Sequence, residues 1–178
     1  MKYLVVSDIH GIKKYAEKIN DIVIKENIDK IILLGDLYYN GNIYELSKDY
    51  IDIVDIFNKL KDKIICIRGN CDNYKDEEVS EFKFNDYVIL NINNKNFFFT
   101  HGHKYNIYNI PNEIDVFIFG HLHTGFIRKI DNILYINSGS ISLPRNNTKN
   151  SYLIIEDKKI ILYDISGNII DSIEYWFK

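Results

Sequence analysis

Ile28-Asp29-Lys30-Ile31-Ile32-Leu33-Leu34-Gly35-Asp36 decides the fold. From Ile28 to Leu34 the run is almost unbroken in apolar residues, as a strand covered on both faces requires, and it stops at Gly35-Asp36. The pattern repeats outward. Upstream, Lys2 to Val6 reads as a short buried strand ending at Ser7-Asp8, with a turn at Gly11. A helix from about Ile12 to Glu26 follows, with Ile12, Tyr15, Ala16, Ile19 and Val23 on one face. Downstream, Asn40-Gly41 signals a turn. A second helix from about Tyr44 to Leu60 turns Leu46, Tyr50, Ile53, Val54, Phe57 and Leu60 inward. Lys63 to Ile67 is the third strand, ending at Arg68-Gly69-Asn70-Cys71-Asp72. The order β-α-β-α-β predicts parallel strands in one sheet, joined by right-handed crossovers. The three polar motifs then fall at strand carboxyl ends, where open α/β sheets place their sites.

Beyond Asp76-Glu77-Glu78 the texture becomes β-rich. Strands are expected over Phe82–Leu90, Lys95–Thr100, Asp115–Phe119, Phe126–Ile130, Ile133–Asn137, Ser151–Ile155, Ile160–Ile165 and Ile169–Trp176. Turn residues such as Asn93-Asn94 and Asp131-Asn132 separate them. Long Ile, Tyr and Phe strands need a facing sheet. The expected architecture is therefore α/β, with two sheets packed face to face, helices outside, and residues 1–178 forming one domain.

Composition narrows the function. With 46% hydrophobic and 26% charged residues, the chain has the balance of a globular protein, and its net charge of −3 argues against a general nucleic-acid binder. No apolar stretch reaches the roughly 18 residues that span a bilayer, and Met1 to Val6 is too short for a signal sequence. A cytoplasmic protein without membrane attachment is expected. Two cysteines, Cys66 and Cys71, do not make a disulfide framework.

The histidines carry the chemistry. There are five in all, and four lie in His101-Gly102-His103 and Gly120-His121-Leu122-His123. The fifth, His10, lies in Asp8-Ile9-His10. Each histidine motif follows an apolar run that reads as a strand. Imidazoles gathered at strand ends supply the several neutral nitrogen donors that a metal ion requires.

Taken in order, Asp8-x-His10, Gly35-Asp36, Gly69-Asn70-Cys71-Asp72, His101-Gly102-His103 and Gly120-His121-x-His123 resemble the motifs of the calcineurin-like metallophosphoesterase superfamily. The resemblance runs from Met1 to about Arg145. Small size, the Gly-Asn-Cys-Asp form and Asn137-Ser138-Gly139-Ser140-Ile141-Ser142-Leu143-Pro144-Arg145 are similar to the YfcE-like phosphodiesterase group. That resemblance implies a four-layer α/β/β/α sandwich and two divalent ions. One would be held by Asp8, His10, Asp36 and His123, the other by Asp36, Asn70, His101 and His121, with Asp36 bridging. The nitrogen and oxygen ligands do not themselves choose among manganese, nickel, zinc, iron and cobalt; manganese is expected first. The implied reaction is hydrolysis of a small phosphodiester or phosphomonoester by a metal-bridging hydroxide, in line at phosphorus. The resemblance also allows a homodimer. Its alternatives are a protein-binding scaffold of the same fold and a phosphatase or nucleotide hydrolase with a dedicated substrate.

Several further roles are expected. Asn70 would also donate to a phosphate oxygen. His103 would sit beside the phosphate as a donor or orienting group. Cys71 stands where most of the superfamily has a histidine that protonates the leaving group, and a thiol is a poorer proton shuttle near neutrality. A Cys71 nucleophile is the competing reading. Asp72 is expected to orient a metal-ligating histidine, against a plain turn or cap role. Arg68 and Arg145 are candidates for phosphate contact, and Gly139 for a loop near the site. Tyr38-Tyr39-Asn40 and Tyr105 to Tyr108 are candidates for the cleft lining. With 14 tyrosines in the chain, composition explains those aromatics equally well.

Overall fold

The computed structural model describes residues 1–38 and 48–175. The Asn40-Gly41 turn, the expected start of the second helix and Trp176 lie outside them.

The first half follows the expected alternation: β1 (Tyr3–Val6), α1 (Lys13–Lys25), β2 (Lys30–Leu33), α2 (Lys48–Lys59) and β3 (Ile64–Ile67). Helix α1 buries Tyr15, Ala16, Ile19, Ile22 and Val23 on one face. It ends in a left-handed residue, Asn27 (φ 51°), and the Ile28 N–H returns to the Val23 carbonyl at 3.0 Å. That closure satisfies a last-turn carbonyl and turns the chain into β2. A short helix, α3 (Tyr74–Val79), was not foreseen. It starts with a capping box in which Asn73 and Asp76 exchange side-chain-to-backbone bonds.

The expected strand over Phe82–Leu90 is two strands in different sheets. β4 (Phe84–Asn85) pairs parallel with β3, and β5 (Tyr87–Ile92) pairs antiparallel with β6 (Lys95–Thr100). Alternation marks both pieces as strand but carries no information on which sheet each joins. The chain continues through β7 (Val116–Phe119), β8 (Gly125–Ile130), β9 (Ile133–Ser138), β10 (Ser151–Glu156), β11 (Lys159–Asp164) and β12 (Ile169–Glu174). The first sheet has seven strands in the order β12-β11-β10-β1-β2-β3-β4, and the second has five in the order β5-β6-β7-β9-β8. Both are mixed. β1 to β4 run parallel in the first, and β6, β7 and β9 run parallel in the second.

Alternation along the strands explains why the apolar runs are unbroken. Leu4, Val6, Ile31 and Leu33 face α1 and α2, while Val5, Ile32 and Leu34 face the second sheet. From the other side, Phe97, Phe99, Val116 and Ile118 fill the space between the sheets. Phe98, Phe117 and Phe119 point outward from the second sheet and pack with Tyr105, Ile110 and Ile114 of the segment after β6. Among the described residues that outer layer is a loop, whereas helices cover the first sheet. No helix among the described residues is long and apolar enough to cross a membrane. The layering brings the carboxyl ends of two parallel strand sets to one end of the sandwich, and every histidine motif leaves from such an end.

Candidate metal centre

Five polar side chains at these strand ends sit on left-handed backbone: Asp8 (φ 57°), His10 (51°), Asp36 (56°), His121 (64°) and His123 (58°). This conformation costs an L-residue about 1–2 kcal/mol, and it aims the side chains back across the strand ends. The neighbouring glycines make room. A Cβ at Gly69 would stand 2.0 Å from Asp36 Oδ1, and one at Gly120 would stand 1.9 Å from Ser7 Oγ and 2.9 Å from Asp8 Oδ2.

Bonds across the inter-sheet gap hold the two sets together. His101 Nδ1 donates to the Leu34 carbonyl at 2.7 Å, and the His121 N–H donates to Asp8 Oδ2 at 3.0 Å. His123 Nδ1 donates to the Leu143 carbonyl at 2.6 Å. A carbonyl only accepts, so His101 and His123 carry their protons on Nδ1, leaving the Nε2 lone pairs to face inward.

What those lone pairs face is informative. His123 Nε2 is 3.3 Å from His10 Nε2 and 3.1 Å from Asp8 Oδ1. Asp8 Oδ1 is buried and has no hydrogen-bond partner. His101 Nε2 faces Asn70 Oδ1 at 3.0 Å and Asp36 Oδ2 at 3.5 Å, and Asp36 Oδ2 is also 3.8 Å from His10 Nε2. Nitrogen and oxygen acceptors therefore gather around Asp8 and Asp36, a donor set that metal binding would satisfy. Asp8, His10 and His123 form one compact ligand group, and Asp8, Asp36 and His101 form another.

Burial raises the Asp8 carboxyl; His10 and His123, where their rings present a proton to it, bring it well below the ordinary range. Burial, followed by the His101 ring, lowers the pKa of both His103 and His121. The His121 ring lies 5.0 Å from that of His101. The His103 ring lies 5.3 Å from His101, with a buried Nδ1 that has no partner.

Cys71 lies at the centre. Its N–H donates to Asp36 Oδ1 at 2.8 Å, and Asn70 Nδ2 donates to its Sγ at 3.3 Å. Burial, and then the Asp36 charge, push its thiol up to about 12. A thiol held protonated is a poor nucleophile, which disfavours the nucleophile reading.

Asp72 takes the turn role that stood against orienting a histidine: its carboxylate bonds are to backbone amides. Oδ2 accepts from the Asp36 and Gly69 amides at 2.8 and 2.7 Å, and Oδ1 accepts from the Leu37 amide at 2.8 Å. It clamps the turn that carries Asp36 onto the turn after β3. Burial raises its carboxyl to about 6, and the Asp36 charge adds to the push.

Arg68 is committed elsewhere, to an ion pair with Glu77 and to the faces of Phe84 and Tyr74. Tyr38 is a core residue that bonds Ser80, and Tyr105 packs edge-on against Phe98. Neither lines the cleft; Tyr39 and Asn40 lie outside the described residues. Arg145 is exposed, and its N–H donates to the His123 carbonyl at 2.8 Å. The Gly139 loop buttresses the site. Ser140 and Ser142 hydroxyls both donate to the Asp8 carbonyl at 2.7 Å. The sequence reading places this segment near the site but assigns these two serines no role.

Comparison with known proteins gives the family and the fold. Residues 1–159 match the Calcineurin-like phosphoesterase superfamily domain. Phosphodiesterase YfcE of Escherichia coli is 28% identical over 162 residues, 88% of each chain. A phosphodiesterase of Methanocaldococcus jannaschii is 28% identical over 153 residues, 78% of this chain and 83% of that one. The solved structure of the E. coli phosphoesterase Yfce superposes with a TM-score of 0.90 at 26% identity, covering 98% of this chain and 99% of that chain.

The clamp makes a prediction. Asp72→Ala orphans three backbone amides and should lower stability in chemical denaturation by about 1–3 kcal/mol. By loosening Asp36 it should also weaken metal affinity roughly 10–100-fold. An unchanged denaturation midpoint in the metal-free protein would show that these amide bonds do not hold the fold together.

Proposed function

Because the chain belongs to the calcineurin-like phosphoesterase superfamily, we propose that it is a metal-dependent phosphodiesterase with a dinuclear centre. The observation that carries this reading is the buried, unpartnered Asp8 Oδ1 facing the Nε2 atoms of His10 and His123, with Asp36 shared toward His101. Asp8, His10, Asp36 and His123 hold one ion; Asp36, Asn70, His101 and His121 hold the other. Manganese is the first candidate, with nickel, zinc, iron and cobalt behind it. A bound pair supplies a nucleophilic hydroxide near neutral pH and neutralises the substrate's charge.

The remaining work falls to the chain. Asp36 would bridge because one oxygen, Oδ2, lies 3.5 Å from His101 Nε2 and 3.8 Å from His10 Nε2, while Oδ1 is fixed by the Cys71 amide. Asn70 is neutral and adds no negative charge where an anionic phosphate arrives, and its amide N–H₂ donates to a phosphate oxygen. His103 orients the phosphate from beside His101. Cys71 occupies the leaving-group side and protonates poorly, so substrates with good leaving groups are favoured. The substrate class is a small phosphodiester, with phosphomonoesters second.

Two outcomes test the reading. Asp36→Ala should lose bound metal and at least ~10³-fold of bis(p-nitrophenyl) phosphate turnover together, since electrostatic stabilisation of this kind supplies several kcal/mol. An Asp36→Ala protein with undiminished metal-dependent turnover would remove the ligand assignment. Cys71→His should raise kcat on alkyl phosphodiesters about tenfold or more, because a positioned general acid is worth ~10²–10⁴, and change p-nitrophenyl ester turnover little. Equal effects on both leaving groups would remove this account of Cys71.

A further inference from the structure

Cys71 does more than stand where another residue is common. Its Sγ, a ring nitrogen of His10 and a carboxylate oxygen of Asp36 all lie within 4.8 Å of one another. Ligand atoms sharing one zinc ion are roughly 3.3–3.6 Å apart in tetrahedral geometry, so a group within 4.8 Å needs only a small closing movement to bring the sulfur in as an added, fifth ligand. The backbone does not let it drift: the Cys71 N–H is bound to Asp36 Oδ1, and the adjoining turn is clamped by Asp72. The buried, unpartnered Asp8 Oδ1 lies 3.7 Å from the Nε2 of the same His10 and points independently to a cation beside this group.

We propose that Cys71 is a metal-selective ligand: Zn(II) or Co(II) recruits its thiolate to the ion held by Asp8, His10, Asp36 and His123, whereas Mn(II) leaves the sulfur unligated. The inference rests on the dinuclear reading above. Thiolate is a soft donor and favours zinc and cobalt, while manganese prefers the nitrogen and oxygen ligands already present. As the sulfur–metal bond forms, the S–H bond breaks and its proton passes to solvent. The added ligand fills a position that a catalytic ion keeps open for water or substrate, and its negative charge weakens the ion as a Lewis acid. One side chain thereby separates a thiophilic, closed form of the centre from a manganese form that stays open.

The test uses the full-length protein after chelator treatment. Titration with Co(II) should give visible d–d bands together with a near-ultraviolet sulfur-to-cobalt charge-transfer band. Cys71→Ser should keep the d–d bands and lose the charge transfer. Zn(II) affinity should fall at least about tenfold in Cys71→Ser, since losing even an outer-shell partner costs roughly 10–100-fold, and Mn(II) affinity should stay within about twofold. Without any variant, Zn(II) should protect Cys71 from alkylation and Mn(II) should not; Cys66 is fully buried and does not compete. Cobalt d–d bands without charge transfer, charge transfer that survives Cys71→Ser, or equal protection by both metals would overturn the proposal while leaving the centre intact. Absence of any cobalt spectrum would overturn the centre and this inference with it.

Discussion

The side chains that meet at the site leave two different sheets, and the inter-sheet gap has to be closed at that one end by bonds rather than by packing. The His101 ring on the Leu34 carbonyl and the His121 amide on Asp8 are those bonds. Each ties a strand end of the second sheet to a strand end of the first. The left-handed backbone at Asp8, His10, Asp36, His121 and His123 follows from the same demand, because on extended backbone successive side chains would alternate between the sheet faces and could not gather at one point. The apolar filling of Phe97, Phe99, Val116 and Ile118 sets the distance between the sheets, and hence how far these bonds must reach.

That arrangement is costly without cations. Asp8, Asp36, His10, His101 and His123 are all buried at one place, and one carboxylate oxygen has no partner. Proteins seldom keep buried acceptors unpaired, since each costs about 1–3 kcal/mol or more when charged. Supporting interactions hold the geometry instead: Asp72 on three amides, Ser140 and Ser142 on the Asp8 carbonyl, and Asn137 on the Gly120 carbonyl. A site held this firmly before binding loses little further freedom on binding, which favours tight ligation.

Much of this was legible in the sequence. The apolar runs of β1, β2 and β3 marked strands covered on both faces, and the polar residues just past them marked the site. The histidine motifs named the side chains that the structure brings together. What stayed hidden has physical reasons. The split of the Phe82–Leu90 segment depends on which sheet has a free edge, and alternation does not encode that. Asp72 binds amides that belong to no residue type, so its carboxylate beside the histidine motifs invited a metal-related role. Ser140 and Ser142 reach Asp8 across more than a hundred residues of chain, and a serine-rich turn does not announce its partner. The Leu34 and Leu143 carbonyls that set the histidine tautomers are backbone atoms and leave no trace in the sequence.

The most direct test of the dinuclear hydrolase is a stoichiometric titration. Chelator-treated protein would be reloaded with Mn(II) while bound metal per chain and bis(p-nitrophenyl) phosphate turnover are followed on the same sample. This account predicts turnover that rises as a second equivalent binds and levels off at two ions per chain. Turnover that is complete at one ion, or two ions bound with no turnover on any phosphodiester, would contradict it.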